Sequence, residues 1–291
     1  MITTRRFAII GAGMVGRSLA QALGARGARV AAVASRRLDS ARAAAALAGC
    51  PLATTDAAAA ARSADVVVLS VPDDAIRGLC ERLCAQDAFG PGDVAVHLSG
   101  ALGSDALASA RARGAAALAF HPVQTFALVD ASLFEGIACV VEGDRAGVAL
   151  GVALAEFLGA TPIEIRAEDK PLYHAALCVA CNYLVTLADA GAGLLGQAGL
   201  GERALPALLP LLRGAVDNLS RVGLPAALTG PISRGDLATL RAHLGVLAAR
   251  APALVPLYRV AGLQTVELAL RKGTVSEAQA EAMRALLRER G

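Results

Sequence analysis

The sequence contains no tryptophan, 3 tyrosines and 6 phenylalanines, an aromatic share of 3% in 291 residues. Proteins that hold single-stranded nucleic acid stack its bases on aromatic rings, and that platform is missing here. Charge is sparse as well. Only 18% of residues are charged and the net charge is +3, with the arginines scattered along helical segments rather than gathered into a stripe that tracks phosphates. Little charge does not mean disorder: the 55% hydrophobic content and mean hydropathy of +0.53 are far above those of a disordered chain. No nucleic acid is expected among the partners.

Leader and membrane signals are also weak. Met1-Ile-Thr-Thr-Arg-Arg-Phe7 passes directly into a strand and a glycine loop, without the apolar stretch and cleavage site of a signal peptide. In the apolar second half the longest uncharged run, Pro171 to Ala188, contains Tyr173, His174, Asn182 and Tyr183 and ends at Asp189. A spanning helix needs about 20 predominantly apolar residues, so the run reads as a buried helix of a cytoplasmic protein with no membrane partner. Cys178 and Cys181 form a C-x-x-C pair inside a helical run, with no second pair or histidine cluster at metal spacing. No metal site is expected, and the six cysteines (50, 80, 84, 139, 178 and 181) read as small buried hydrophobes in a reducing compartment.

What is present divides the chain in two. Up to about Ile165, short β-branched runs alternate with alanine-rich helical stretches. The candidate strands are Phe7–Ile10, Arg29–Val33, Asp65–Ser70, Val94–Leu98, Ala116–Phe120, Ile137–Val141 and Pro162–Ile165. Several lack polar alternation, as strands buried on both faces do. Such alternation implies an α/β fold with a doubly wound parallel sheet and right-handed crossovers. After Glu168 the strand signal disappears and the spacing predicts helices over Lys170–Ala198, Glu202–Val222, Asp236–Ala249, Pro252–Lys272 and Ser276–Arg290. Two domains are therefore expected: residues 1–166, then an all-helical domain over 167–291.

The strongest chemical signal is Gly11-Ala12-Gly13-Met14-Val15-Gly16, which follows a strand and opens a helix. Gly11 allows a tight turn, Gly13 lets a pyrophosphate approach the backbone, Gly16 allows close helix–strand packing, and the amides of the helix start meet the phosphate charge. A later strand and turn, Asp65 to Asp73, brings Val71 and Pro72 to the same cofactor. The end of the second strand selects between cofactors. NAD binders place a carboxylate there for the ribose, whereas this chain has Ser35-Arg36-Arg37, which suits a 2′-phosphate. A charge-assisted hydrogen bond contributes roughly 1.5–3 kcal/mol, so NADP is expected to be preferred about ten- to a hundredfold. Asp39, four residues past the strand, is expected to cap the next helix instead.

Three further stretches carry a resemblance: Phe120-His-Pro-Val-Gln-Thr-Phe126; Lys170-Pro-Leu-Tyr-His174 with Asn182-Tyr-Leu-Val185; and Leu228-Thr-Gly-Pro-Ile-Ser-Arg-Gly-Asp236. With the glycine loop they make the chain resemble, over nearly its whole length, a family of NADP-dependent oxidoreductases that combine a Rossmann-like N-terminal domain with a helical C-terminal domain like that of 6-phosphogluconate dehydrogenase. Its relatives are pyrroline-5-carboxylate reductase, ketopantoate reductase and the β-hydroxyacid and prephenate dehydrogenases. The resemblance implies hydride transfer between NADPH and a small carboxylate. A ketopantoate-like 2-keto acid leads, imine reduction is second and a prephenate-type dehydrogenation third; a non-catalytic NADP-binding regulator is a reading of a different class. It also implies a homodimer through the helical domain, in keeping with the apolar excess.

The motifs also have a physical reading. Ser99-Gly100 and His121-Pro122 follow predicted strands and so belong at the carboxyl edge of the sheet, where doubly wound folds bind ligands. In prephenate dehydrogenase a similar Ser and His-Pro pairing serves the nicotinamide; His121 is the matching proton-transfer group, and the other reading is a ring that holds a loop. Lys170 opens a helix with His174 one turn on, about 6 Å along the axis, so both face one way. The β-hydroxyacid dehydrogenases use a Lys at this place as proton donor, followed four residues later by Asn where this chain has His174. A cation at a helix start is unfavourable and calls for a reason; the alternative is an exposed first-turn residue. Asn182, about 18 Å beyond Lys170 along the helix axis, either holds the far end of a substrate or bonds within the core. Thr229 and Arg234 lie in a polar loop that resembles the carboxylate-binding loop of pyrroline-5-carboxylate reductase; it serves either as a substrate clamp or as a plain helix–helix turn, with Asp236 a natural N-cap.

Overall fold

The structure is a computed structural model that describes residues 2–289. The chain forms two compact units, residues 1–178 and 179–291. The first is built on an eight-stranded sheet: β1 (Arg6–Ile10), β2 (Arg29–Ala34), β3 (Ala53–Thr54), β4 (Val66–Leu69), β5 (Val94–His97), β6 (Ala116–Pro122), β7 (Ala138–Gly143) and β8 (Thr161–Glu164), in the order β3-β2-β1-β4-β5-β6-β7-β8. Strand alternation divides the core between the two faces. Phe7, Ile9, Val66 and Val68 pack with Leu19 and Leu23 of α1 (Met14–Ala25), Ala44 of α2 (Leu38–Ala48) and Leu154 of α6 (Arg145–Phe157). Ala8, Ile10, Val67 and Leu69 pack with α3 (Ala57–Arg62), α4 (Asp73–Ala85) and α5 (Ala108–Ala112). A strand buried on both faces has no polar side to show, and this is why β4 reads Val-Val-Val-Leu.

The sheet departs from the expected all-parallel order at one place. β6 and β7 pair antiparallel, His121 opposite Val140 and Pro122 opposite Cys139. A parallel return needs a crossover, usually an α-helix, and the connection between them holds only the short 3-10 turn Ala131–Phe134. β6 also runs two residues past its predicted end, so His121 and Pro122 are the last rungs of a ladder rather than the start of a loop. β3, two residues long, gave no periodicity to read.

The first unit runs through α7 (Lys170–Leu177), whose side chains bond to Ser99 in the loop after β5 and to His121 of β6, rather than ending at 166. The predicted helix over Lys170–Ala198 is interrupted by π-turns at Cys178–Asn182 and Gly196–Leu200 that flank α8 (Tyr183–Leu195). The second unit also contains α9 (Ala204–Val222), α10 (Leu237–Arg250), α11 (Val255–Lys272) and α12 (Glu277–Arg288), close to the expected spans; Arg290, the predicted end of the last helix, lies outside the described residues. Its core is small: Leu240, Leu244, Val266, Met283 and Leu287 from α10, α11 and α12. α12 starts with a capping box between Ser276 and Gln279.

Several burial expectations are corrected. The run Pro171–Ala188 is not a buried helix in the single chain, where Leu172, Val179 and Val185 are 75%, 63% and 70% exposed. The helical stretch Ala167–Val222, which contains an 18-residue window with a mean hydropathy of 1.5, is long and apolar enough by length and composition to cross a membrane. Cys50 and Cys178 are half-buried and Cys181 is exposed, leaving Cys80, Cys84 and Cys139 as the buried thiols. Asp39 does not cap α2; the cap position is Arg37, and Asp39 sits in the first turn paired with Arg42.

Candidate functional site

β1 and β4 are sequence-distant neighbours from which the sheet is wound in both directions, and ligands of such sheets settle at the carboxyl ends of that pair. A cavity of about 750 Å³ lies there, lined by Gly11, Ala12 and Gly13 after β1, Ser35, Arg36 and Arg37 after β2, and Val71 and Pro72 after β4. Gly11 has φ +112°, a conformation other residues rarely adopt, and a side chain on it would strike the Ser70 carbonyl. A side chain on Gly16 would meet Ser70 Oγ at 2.7 Å, so the helix packs as closely as the motif requires. Gly13, the residue before α1, faces open space, which leaves the first amides of the helix accessible to an anion. Met14 is 46% exposed and Val15 half-buried on the first turn of α1. Arg36 and Arg37 are exposed and Ser35 half-buried at the far end, with Arg82 of α4 also on the wall. The cavity suits a dinucleotide with an extra phosphate on its adenosine end: a glycine cradle for one anion and guanidinium groups for another.

The next strand ends, β5 and β6, carry the titratable groups. Lys170 is 1% exposed and its Nζ donates to the Ser99 carbonyl at 3.1 Å. Burial pushes the ammonium down to about 8, against the partial support of Glu142 and Asp73. His121 reaches from the end of β6, its Nδ1 2.6 Å from the Tyr173 hydroxyl. Burial first, then Lys170 and His174, push it down to about 4. The His174 ring stands 6.4 Å from that of His121 at 78°. Both crowd Gly100: a Cβ there would come within 2.8 Å of His121 Nε2 and of His174 Cδ2. The expectation that Lys170 and His174 face one way is met, since Lys170 bonds to Ser99 and His174 abuts Gly100.

Ser99 lies among the same groups with every hydrogen-bonding position in use. Its hydroxyl donates to Asp73 Oδ2 at 2.7 Å and accepts from the amides of Ala101 and Leu102. That pattern fixes the loop after β5 and the start of α4 and leaves no hydroxyl proton for a ligand. Asn182, Thr229 and Arg234 belong to the second unit. Asn182 is exposed in the π-turn rather than buried in a core, and Thr229 and Arg234 are exposed on the loop before α10. Asp236 does cap α10, accepting from Thr239 N, while Lys272 Nζ donates to the Leu228 carbonyl, so the loop is tied at both ends.

His97, Asp73 and Tyr173 were given no role at the site by sequence reasoning. His97 is fully buried at the end of β5, with Nδ1 accepting from Ser99 N and Nε2 donating to the Gly103 carbonyl; burial pushes it down to about 4. One available signal for the site is composition: of 28 basic residues only two, Lys170 and Lys272, are lysine. In a chain whose cations are nearly all arginine, a lysine at 170 supplies a cation that is able to lose its proton, which arginine is not.

Comparison with known proteins agrees with this geometry. Residues 3–122 match the family model of a Rossmann-like domain, and residues 137–265 match that of a domain of unknown function, DUF2520. No curated protein matches the sequence. Among solved structures, a protein inferred to be an NADP oxidoreductase from Bacteroides fragilis is 25% identical, with a TM-score of 0.74 over 92% of this chain and 100% of that one. Pyrroline-5-carboxylate reductase from Coxiella burnetii is 20% identical with a TM-score of 0.60, covering 97% of this chain and 98% of that one. An imine reductase from Myxococcus stipitatus, in complex with NADP+, is 22% identical with a TM-score of 0.57, covering 97% and 93%. This chain is thus similar to a Rossmann-like domain over residues 3–122 and to the DUF2520 domain over residues 137–265.

Proposed function

We propose that the protein is an NADP-dependent oxidoreductase that transfers a hydride between NADPH and the carbonyl of a small carboxylate, a ketopantoate-like 2-keto acid. The observation that carries this reading is the buried Lys170, its ammonium pushed down to about 8, held by the Ser99 carbonyl after β5 while His121 ends the neighbouring strand β6. Gly11, Gly13 and the start of α1 would hold the pyrophosphate, Val71 and Pro72 the wall beside it, and Ser35, Arg36 and Arg37 the 2′-phosphate.

The bound cofactor supplies the hydride to the carbonyl carbon. As the carbonyl π pair moves to oxygen, Lys170 Nζ passes its proton to that oxygen, and the neutral amine then takes a proton from water. An ammonium near 8 is mostly protonated at neutral pH yet gives up its proton more readily than an exposed lysine. Ser99 acts through its carbonyl, which orients Lys170, and through its hydroxyl, which sets the loop.

NADPH oxidation is the test, run with small 2-keto acids, cyclic imines and prephenate as separate panels, alongside Lys170→Ala and His121→Ala variants whose NADPH binding is followed by fluorescence. Turnover of a keto acid that collapses in both variants with binding intact is the expected result. Turnover of imines alone would move the substrate class, and failure of every panel would favour an NADP-binding regulator. For the second unit we propose that Arg234 engages the substrate carboxylate, read as a higher KM in Arg234→Ala. We further propose that a second copy of the chain covers the apolar faces of α8 and α9, where Val185 and Leu211 are each 70% exposed. Sedimentation velocity should give a dimer; a monomer that floats with lipid vesicles would overturn this.

A further inference from the structure

Tyr173 has no task in that scheme, although its hydroxyl lies 2.6 Å from His121 Nδ1 and the two rings meet edge to face with centroids 5.7 Å apart. It sits on the same turn of α7 as Lys170 and His174, so one turn of helix delivers an ammonium, a phenol and a second imidazole to the ends of β5 and β6. The direction of the Tyr173–His121 bond decides what His121 can do. A phenol O–H is a stronger donor than a neutral imidazole N–H, and an unprotonated imidazole nitrogen is a stronger acceptor than a phenol oxygen. Tyr173 therefore donates and Nδ1 accepts. A neutral imidazole that accepts at Nδ1 carries its hydrogen on Nε2. We propose that Tyr173 is a positioning residue that holds His121 as the neutral Nε2–H tautomer, so that His121 presents a hydrogen-bond donor, and not a proton-accepting base, at the sheet edge.

The surroundings are built for that donor. Nε2 and Cε1 lie beside Gly100, where a Cβ would stand 2.8 and 2.9 Å from them, so only glycine lets the Nε2 edge of the ring take this position. His97 provides a contrast one strand away. It carries the same tautomer, but both of its nitrogens are consumed by backbone, Ser99 N on one side and the Gly103 carbonyl on the other. His121 has one nitrogen bonded to a side chain and the other beside Gly100, without a backbone bond of the kind that holds His97. The charged and titratable groups around the pair are Lys170 and His174 of α7, Asp73 of α4, His97 of β5 and Cys139 of β7. Burial and the nearby cations push His121 down to about 4, and burial pushes Tyr173 up to about 12. Both partners stay neutral through the physiological range, and the bond keeps its direction. The catalytic consequence rests on the function proposed above: Nε2–H bonds to the substrate oxygen as negative charge develops there, while the transferred proton comes from Lys170. A neutral histidine is the suitable partner for that step, because an imidazolium beside Lys170 would add a second buried positive charge.

The tautomer can be read without any substrate. The protein has four histidines, so long-range 1H–15N correlation spectra of 15N-histidine-labelled protein, assigned with single-histidine variants, resolve His121 from pH 5.5 to 8.5. The wild type is expected to show the Nε2–H pattern across this range. Tyr173→Phe should turn it into a mixture with the Nδ1–H form. In turnover assays the same variant should lose roughly 10- to 100-fold in kcat, at the low end of or below what removing a general acid or base costs, with KM and NADPH affinity unchanged. Gly100→Ala should displace the His121 resonances with Tyr173 intact. An Nδ1–H pattern in the wild type, or a Tyr173→Phe spectrum identical to wild type, would overturn the proposal. The wild-type spectrum decides even if the variant fails to fold. Absence of turnover with an intact Nε2–H pattern would count against the hydride-transfer reading alone.

Discussion

The sheet of the first unit and the helices that open the second bury their apolar residues to very different extents. All four residues of β4 and all four of β5 are buried, and two clusters fill the two faces of the sheet. α8 buries no residue and α9 buries only Ala204, although both are rich in leucine, valine and alanine. A sheet covered by its own crossover helices meets its hydrophobic demand within the chain. α8 and α9 carry apolar side chains, Val185 and Leu211 among them, that the described residues of the single chain leave exposed. High apolar content therefore means self-sufficient folding in one region and an unmet need for cover in the other.

The sharpest way to break this comparison is to place the same charge in both regions. Val67→Asp, in the middle of β4, should abolish folding, since an unpaired carboxylate in a dry core costs several kcal/mol or more, read by loss of soluble protein and of the native circular dichroism. Val185→Asp with Leu211→Asp should leave the first unit folded and weaken self-association by about a hundredfold, equivalent to roughly 2.7 kcal/mol, read by sedimentation velocity. Next in size is Lys170→Met, which should lower kcat about 10²–10⁴-fold and yet raise the melting temperature, because the buried ammonium opposes folding at neutral pH.

Acid should act through the first unit. His97 and His121 both have folded pKa values lowered to about 4, so the unfolded chain binds their protons first. Their contribution is complete above about pH 6.5 and is lost as pH falls toward 4, by up to about 3 kcal/mol for each ring. Urea melts at pH 7 and pH 4.5 measure the loss, and the double variant His97→Gln/His121→Gln should flatten it. Arg36→Ala should reduce the preference for NADPH over NADH about ten- to a hundredfold, read from the two dissociation constants. Smallest is Ser276→Ala, which removes one half of the capping box of α12 and should cost about 1 kcal/mol in thermal melts.

Much of the first unit was legible because its signals are local. The glycine loop, the β-branched runs and the Ser35-Arg36-Arg37 stretch each announce a conformation or a charge within a few residues. The antiparallel β7 was not legible, since strand direction depends on the absence of a helix in a connection that has room for one. Lys170 was found through its motif, but its burial arises from contacts with Ser99, 71 residues away in sequence. His97 and Tyr173 were missed for the same reason: a histidine at a strand end or a tyrosine on a helix acquires meaning only from the group it faces. The run Pro171–Ala188, with Asn182 in it, was misread as a buried helix because an apolar helix suggests a core, whichever chain provides it.

α7 has a consequence for how such a site can change. Lys170, Tyr173 and His174 lie within about one turn, while the sheet and the loop after β5 contribute the Ser99 carbonyl, the glycine at 100 and a histidine pinned by its ladder pairing with Val140 of β7. Scaffold and reagents are thus encoded in separate stretches of the gene. Five consecutive codons, 170 to 174, form a cassette that could be rewritten to alter proton donor, tautomer control and steric access together without disturbing the sheet, which makes this turn the natural target for randomised libraries that seek new carbonyl or imine substrates.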